Sequence, residues 1–122
     1  MTYKERLEEV KKSYPFETWR GYFNDGMTQY SKENCDRAVE IMDTLIEDLS
    51  KVGLRAKEYI KIELIKNAVY AYNLLDGMTG ETLIETGQRD ELGQLFEKLA
   101  RIANIDLEQF EYGDITYGVR TW

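Results

Sequence analysis

Apolar residues recur at helical spacing along most of the chain, and the clearest series lies between Ser31 and Gly53. Seven residues form one wide stripe in this region: Cys35, Ala38, Val39, Met42, Leu45, Ile46 and Leu49. Ser31 is of a type that favours a helix N-cap, and Gly53 is of the type that favours the position after a helix. The pattern therefore predicts an amphipathic helix between these two residues.

Two further helices are predicted from the same period. The first, over 3–12, begins after Thr2, with Glu5 three residues later as in a capping box, and it ends before Pro15. Another, over 55–76, carries two adjacent apolar stripes. The first consists of Ile62, Ile65, Val69 and Tyr72, and the second consists of Ile60, Leu64, Ala68, Ala71 and Leu75. We expect this helix to be buried on much of its surface and to be central to the bundle.

The C-terminal third combines a helical pattern with an extended tail. A helix is predicted over 81–103, although Gly87 and Gly93 are poor helix formers. These glycines predict either a close approach to a neighbouring helix or a break near 87. Residues 114–122 predict a tail that packs back on the helices or forms a strand pair, with Trp122 as a core anchor.

The segment 14–30 is unusually rich in aromatic residues. It contains Tyr14, Phe16, Trp19, Tyr22, Phe23 and Tyr30. The pattern predicts a short helix at 16–23 and a turn after it. The rings either form a plug over one end of the bundle or present a binding surface, which could be the interface of a homodimer.

These elements predict an all-α fold: a bundle of about four main helices, with an aromatic N-terminal segment and an extended C-terminal tail. The chain has 122 residues, of which 43% are apolar, so it can build one core. It has no linker-like stretch, and we expect a single domain over 1–122.

The net charge of −7 bears on the choice of partner. Acidic surfaces repel phosphate backbones, so we expect no nucleic-acid partner and favour a protein partner with a basic surface. The charged N-terminus does not read as a signal peptide, and no apolar run is long enough to cross a bilayer. We expect a cytoplasmic protein without a membrane partner.

The absence of histidine narrows the chemistry further. Without histidine, and with Cys35 as the single cysteine, the chain lacks the residues for Ser–His or Cys–His catalysis and for ordinary zinc sites. No glycine-rich phosphate loop is present. We expect no cofactor, and the composition favours binding over catalysis.

Four carboxylates are predicted within about 60° of each other on the face opposite the apolar stripe, at 100° per residue: Asp36, Glu40, Asp43 and Glu47. The face that carries these four carboxylates is interpreted as a solvated face, and it is also a candidate partner-binding face. The pair Glu40-x-x-Asp43 has a spacing that all-helical nucleotide pyrophosphohydrolases use to hold Mg²⁺, which leaves a metal-dependent hydrolase as an alternative.

A second group of candidate partner-binding residues lies near the C-terminus and consists of Glu85, Arg89, Asp90 and Arg120. Glu85 and Arg89 have the i,i+4 spacing of a helical ion pair. Such a pair is either structural or part of a polar site, which Arg120 on the tail could join.

Part of the chain resembles a family of small bacterial helical proteins catalogued as a domain of unknown function. The matching stretches are Ile84-Glu85-Thr86-Gly87-Gln88-Arg89-Asp90, Phe96 with Leu99-Ala100, Ile105-Asp106 and Arg120-Thr121-Trp122. Gly87 replaces a larger apolar residue of the family pattern, and Asn104 replaces a glycine. The resemblance covers the C-terminal part and implies a cytoplasmic helical domain without an assigned activity.

The first functional hypothesis is a non-enzymatic binding protein, in particular an immunity-type inhibitor. Small acidic helical proteins of this size are frequent among such inhibitors, which occlude a toxin. Here the acidic faces of 36–47 and 81–114 would cover a basic toxin surface. The alternatives are the Mg²⁺-dependent nucleotide hydrolase and a structural or regulatory homodimer.

Overall fold

The computed structural model describes residues 1–122, which form five α-helices and no β-strand. The α-helices are α1 (Tyr3–Glu9), α2 (Phe16–Asn24), α3 (Lys32–Val52), α4 (Glu58–Met78) and α5 (Thr86–Ile102). Short 3₁₀ helices lie at Val10–Ser13, Thr28–Tyr30, Leu107–Gln109 and Glu111–Gly113. The predicted all-α bundle is confirmed, and the first predicted helix corresponds to α1 together with the 3₁₀ turn that follows it.

Helix α3 is the central element, because it packs against α1, α2 and α4. Its predicted ends are confirmed. The Ser31 hydroxyl accepts a hydrogen bond from the backbone N–H of Asn34 at 3.2 Å, and Gly53 ends the helix at a φ of +85°. This positive φ explains why glycine stands at the end of α3.

The aromatic segment belongs to the core. Phe16, Trp19 and Tyr30 are buried, and neighbouring rings meet edge to face with centroids 5.0–6.0 Å apart. The Trp19 indole N–H donates to Glu91 at 3.0 Å, and the Tyr30 hydroxyl donates to the carbonyl of Leu83 at 2.8 Å. Interior packing, the first of the two predicted interpretations, therefore describes this segment.

Helix α4 differs from its prediction because it lies beside α3 rather than at the centre of the bundle. One face of α4 is buried, and the Tyr72 hydroxyl on that face donates to the carbonyl of Ala38 at 2.6 Å. Of the second predicted stripe, Leu64 and Ala71 are only half-buried. No helix covers this side, which leaves α4 partly exposed.

The connection from α4 to α5 also differs from its prediction, since α5 begins at Thr86 instead of 81. Gly80 and Glu81 have positive φ values of 68° and 63°, which a helix cannot contain. The buried carboxylate of Asp76 accepts from the backbone N–H of Ile84 at 2.8 Å and fixes this turn.

The two glycines of α5 do not mark a close helix contact. Nothing lies within 4 Å of the position that a Cβ would occupy at Gly87 or Gly93. The expected close approach is therefore wrong. The other prediction, a break in the helix near residue 87, matches the structure more closely, because α5 begins at Thr86.

The C-terminal tail folds back through turns and forms no strand pair. Asn73 of α4 anchors it, donating to the carbonyl of Val119 at 2.9 Å and accepting from the backbone N–H of Thr121 at 3.1 Å. Trp122 is buried, as predicted. None of the helices combines the length and apolar character needed to cross a membrane.

Candidate functional site

The four predicted carboxylates of α3 do not form one site. Asp36 and Glu47 form ion pairs within α3, with Lys32 at 2.6 Å and with Lys51 at 2.9 Å. Asp43 turns toward the N-terminal region, where it accepts from the Tyr14 hydroxyl at 2.7 Å and lies 4.0 Å from Lys11. Glu40 is exposed and turns toward α4.

The ion pairs of α3 leave two of its carboxylates uncompensated. All three basic residues of α3 pair with acids of the same helix, since Arg37 lies 3.6 Å from Glu33 and the other two are described above. Glu40 and Asp48 take part in none of the molecule's ion pairs. They are eight positions apart, which places them about 12 Å apart along the helix axis.

Both unpaired carboxylates border a groove between α3 and α4, which we call the α3–α4 groove. Its volume is about 460 Å³, and Arg37 also lies at its edge. The apolar residues that line it are Ile41, Leu45, Leu64, Ala68, Ala71, Leu74, Leu75 and Met78. The groove therefore combines an apolar floor with an excess of negative charge along the α3 side.

Two large apolar residues of α4 are unusually exposed at this groove. Leu74 and Met78 each expose 71% of their surface, and they lie one helical turn apart. Tyr70 lies one further turn back on the same helix and is 49% exposed. Contiguous apolar surface of this kind is typical of an interaction site.

The second predicted group is brought together only in part. Arg89, Asp90 and Arg120 line one cleft between α5 and the C-terminal segment, which places the tail arginine in the same region as the other two. The predicted ion pair of Glu85 with Arg89 is absent. Glu85 is the N-cap residue of α5 in an extended conformation, so its carbonyl accepts from the backbone N–H of Arg89 at 2.8 Å but its side chain does not take the helical position beside the Arg89 side chain.

The arrangement required for a magnesium-dependent hydrolase is not present. That alternative needs Glu40 and Asp43 to face one cleft with acidic residues of a second helix. Instead, Glu40 borders the α3–α4 groove and Asp43 is hydrogen bonded to Tyr14. No group of three or more acidic or cysteine side chains lies close enough to hold a metal ion.

The ionisable groups with the clearest pKa shifts are structural. Burial, together with the neighbouring Asp43 carboxylate, raises the pKa of Tyr14, so the phenol stays protonated and donates to that carboxylate. Burial also raises the pKa of the Cys35 thiol, which disfavours the nucleophilic thiolate. These shifts accompany core packing rather than an activated nucleophile or base.

Comparison with protein-family models, with curated proteins and with solved structures gives no match for this chain. The candidate site is therefore identified from its geometry.

The groove itself was missed by the sequence interpretation. A signal for it exists in the sequence, because Leu74 belongs to neither of the two apolar stripes predicted for α4. An apolar residue outside the stripes of a long helix has no predicted place in the core. In the structure, Leu74 is accordingly outside the core and exposed at the groove.

Proposed function

We propose that this protein is a non-enzymatic binding protein whose α3–α4 groove holds a basic amphipathic helix of a protein partner. The observation that carries the proposal is the pairing of an exposed apolar surface with two uncompensated carboxylates. Leu74 and Met78 supply the apolar contact, and Glu40 and Asp48 supply the charge. A groove of this kind suits a helix that inserts one apolar face.

The spacing of the carboxylates defines the charge pattern of the partner. A partner helix lying along α3 needs two cationic side chains about 12 Å apart, roughly two helical turns, to face Glu40 and Asp48. Its apolar residues between them would cover the floor of the groove. Electrostatic attraction to a chain of net charge −7 would accelerate the encounter and weaken with added salt.

An immunity-type inhibitor of a bacterial toxin is the specific biological role we propose within this class. The support is the acidic character of the chain together with a groove that fits a basic partner segment. In that role the groove would occlude a basic helix of the toxin. The corresponding genomic expectation is a toxin-like gene next to the gene for this protein.

The test compares capture of a partner from the producing cells by the wild-type chain and by two charge variants of α4. Leu74→Glu places a charge on the apolar wall of the groove. Tyr59→Glu introduces the same charge on the same helix at a residue that is 67% exposed and lies outside the groove. Captured proteins are identified and quantified by mass spectrometry.

We expect one protein to be captured by the wild-type chain and by Tyr59→Glu, and lost with Leu74→Glu. Its sequence should contain an amphipathic segment with the spaced basic residues described above, and its affinity should fall with ionic strength. Equal capture by both variants would contradict the proposal. Self-association through Leu74, measured as a dimer mass in solution, would also contradict it.

A further inference from the structure

A second concave surface lies between α5 and the C-terminal segment, and it shares no lining residue with the α3–α4 groove. We call it the α5–tail cleft. Its volume is about 390 Å³, which falls within the range of small-molecule sites, about 300–1,000 Å³. The cleft is more polar than the α3–α4 groove, and two arginines, Arg89 and Arg120, line it.

The two arginines differ in how their guanidinium groups are satisfied. Arg120 donates to the Thr116 hydroxyl at 3.2 Å and to the Trp122 carbonyl at 2.6 Å, and it lies 3.8 Å from Asp114. Arg89 forms none of the molecule's ion pairs, and its Nε is shielded from solvent without an acceptor. The two Nη atoms of the same guanidinium make no hydrogen bond and are not among the solvent-shielded atoms, so an acceptor on a ligand can reach them.

The carboxylates around the cleft do not supply that acceptor. Asp114 is occupied by Thr116, whose backbone N–H and hydroxyl donate to it at 2.9 and 2.7 Å. Glu97 pairs with Arg101 at 2.9 Å. Asp90 is exposed and makes no ion pair with Arg89. Arg89 is therefore the cation of the cleft whose charge remains uncompensated.

The surroundings also limit which anion fits. Three acidic residues border the cleft, and they would repel a doubly charged phosphate more than a singly charged group. The lining of the cleft also has an apolar wall, which consists of Leu107, Ile115 and Tyr112. Tyr112 has a φ of +59°, a left-handed conformation that a bulky residue rarely adopts, and its side chain is 81% exposed.

We infer that the α5–tail cleft binds a small organic monocarboxylate, with its carboxylate on the guanidinium of Arg89 and its apolar part against the wall that contains Tyr112. The planar fork of a guanidinium matches a carboxylate in a two-point contact. Binding would give the two Nη atoms an acceptor and neutralise the unpaired charge. This site is separate from the proposed protein-binding groove, so it can be tested independently.

The experiment titrates the full chain with benzoate as the probe and follows by NMR the backbone ¹H–¹⁵N signals of Gly93 and Gly113, which line the cleft and are present in every variant. Acetate and inorganic phosphate serve as comparison anions. The variants are Arg89→Gln, which removes the charge, and Arg89→Lys, which retains the charge but not the fork. Arg55→Gln is the matched control, because it removes the same charge from an exposed residue outside the cleft.

We expect saturable binding of benzoate with a dissociation constant below about 10 mM, and weaker binding of acetate and phosphate. Arg89→Gln should weaken it at least about tenfold, as expected for loss of a charged hydrogen bond. Arg89→Lys should give an intermediate loss, and Arg55→Gln should bind as the wild type does. A linear shift without saturation, equal binding by Arg89→Gln, or tighter binding of phosphate than of benzoate would overturn the inference.

Discussion

The aromatic segment 14–30 and the exposed face of α4 both carry large apolar side chains, but they use them in opposite ways. In the aromatic segment, Trp19 and Tyr30 are fully buried and their polar atoms are hydrogen bonded. Of the six aromatic residues there, Phe23 is the one that is largely exposed. On α4, Leu74 and Met78 each expose 71% of their surface beside a groove.

This difference separates residues that the fold needs from residues that it does not. The rings of the aromatic segment find partners on α3, α5 and the turn before α5, so their burial stabilises the folded state. Leu74 has no such neighbours, and its exposure gives the fold little. The proposed contact with another molecule would give these exposed apolar residues beside the groove a role that the fold itself does not.

The largest expected effect tests the aromatic side of this comparison. Trp19→Ala should lower the free energy of unfolding by about 3–5 kcal/mol, because it leaves a cavity among packed rings. Phe23→Ala on the same helix is the control and should cost less than about 1 kcal/mol, since Phe23 is 44% exposed. Urea unfolding measures both, and similar losses would break the distinction.

A smaller effect separates the two faces of α4. Tyr72→Phe should lower the free energy of unfolding by about 1–2 kcal/mol, because the buried carbonyl of Ala38 loses a hydrogen-bond donor. Tyr70→Phe makes the same chemical change at a residue that is half-exposed, and it should be nearly neutral. Thermal or urea unfolding gives both values, and an equal cost would contradict the assignment of the buried face.

The free energy of unfolding should fall above pH 10 because of Tyr30, which has no such effect at neutral pH. Burial, followed by the charge of Glu85, raises the pKa of Tyr30 to about 12 in the folded state, from a value of 10.0. The unfolded chain then loses this proton first, so stability falls as the pH rises from 10.0 toward about 12. Tyr30→Phe should weaken this pH dependence, as measured by unfolding at several alkaline pH values. An unchanged slope would argue against a protonated, buried Tyr30.

The smallest expected change in stability is for a substitution at the α3–α4 groove. Leu74→Ser should change the free energy of unfolding by no more than about 0.5 kcal/mol, because the side chain makes few contacts within the fold. The same substitution at buried Leu75 should be strongly destabilising and serves as the comparison. A large loss at Leu74 would show that this residue belongs to the core after all.

The long helices could be predicted where their ends are set by local chemistry. Ser31 caps α3 with its own hydroxyl and Gly53 takes a positive φ, and both signals are local in the sequence. The start of α5 was predicted five residues too early, because the turn before it depends on the carboxylate of Asp76, eight residues from Ile84. Such a contact between two separate elements does not alter the spacing of apolar residues, so the sequence pattern does not reveal it.

The candidate sites were harder to predict for the same reason. The four carboxylates of α3 share one face by helical geometry, as predicted, but their neighbours decide what each one does. Asp43 meets Tyr14, whereas Glu40 meets the groove. Helical spacing also predicted an ion pair of Glu85 with Arg89, which fails because Glu85 precedes the helix. The cleft that collects Arg89 and Arg120 depends on the fold of the tail.

The most direct test of the central claim is to map the captured partner on this protein by methyl chemical shifts. The methyl groups of Leu64, Leu74 and Met78 report on the groove, and those of Val10, Leu92 and Ile115 lie outside it. We predict that partner binding shifts the groove signals strongly and leaves the others nearly unchanged. Shifts concentrated outside the groove, with Leu74 and Met78 unaffected, would contradict the account.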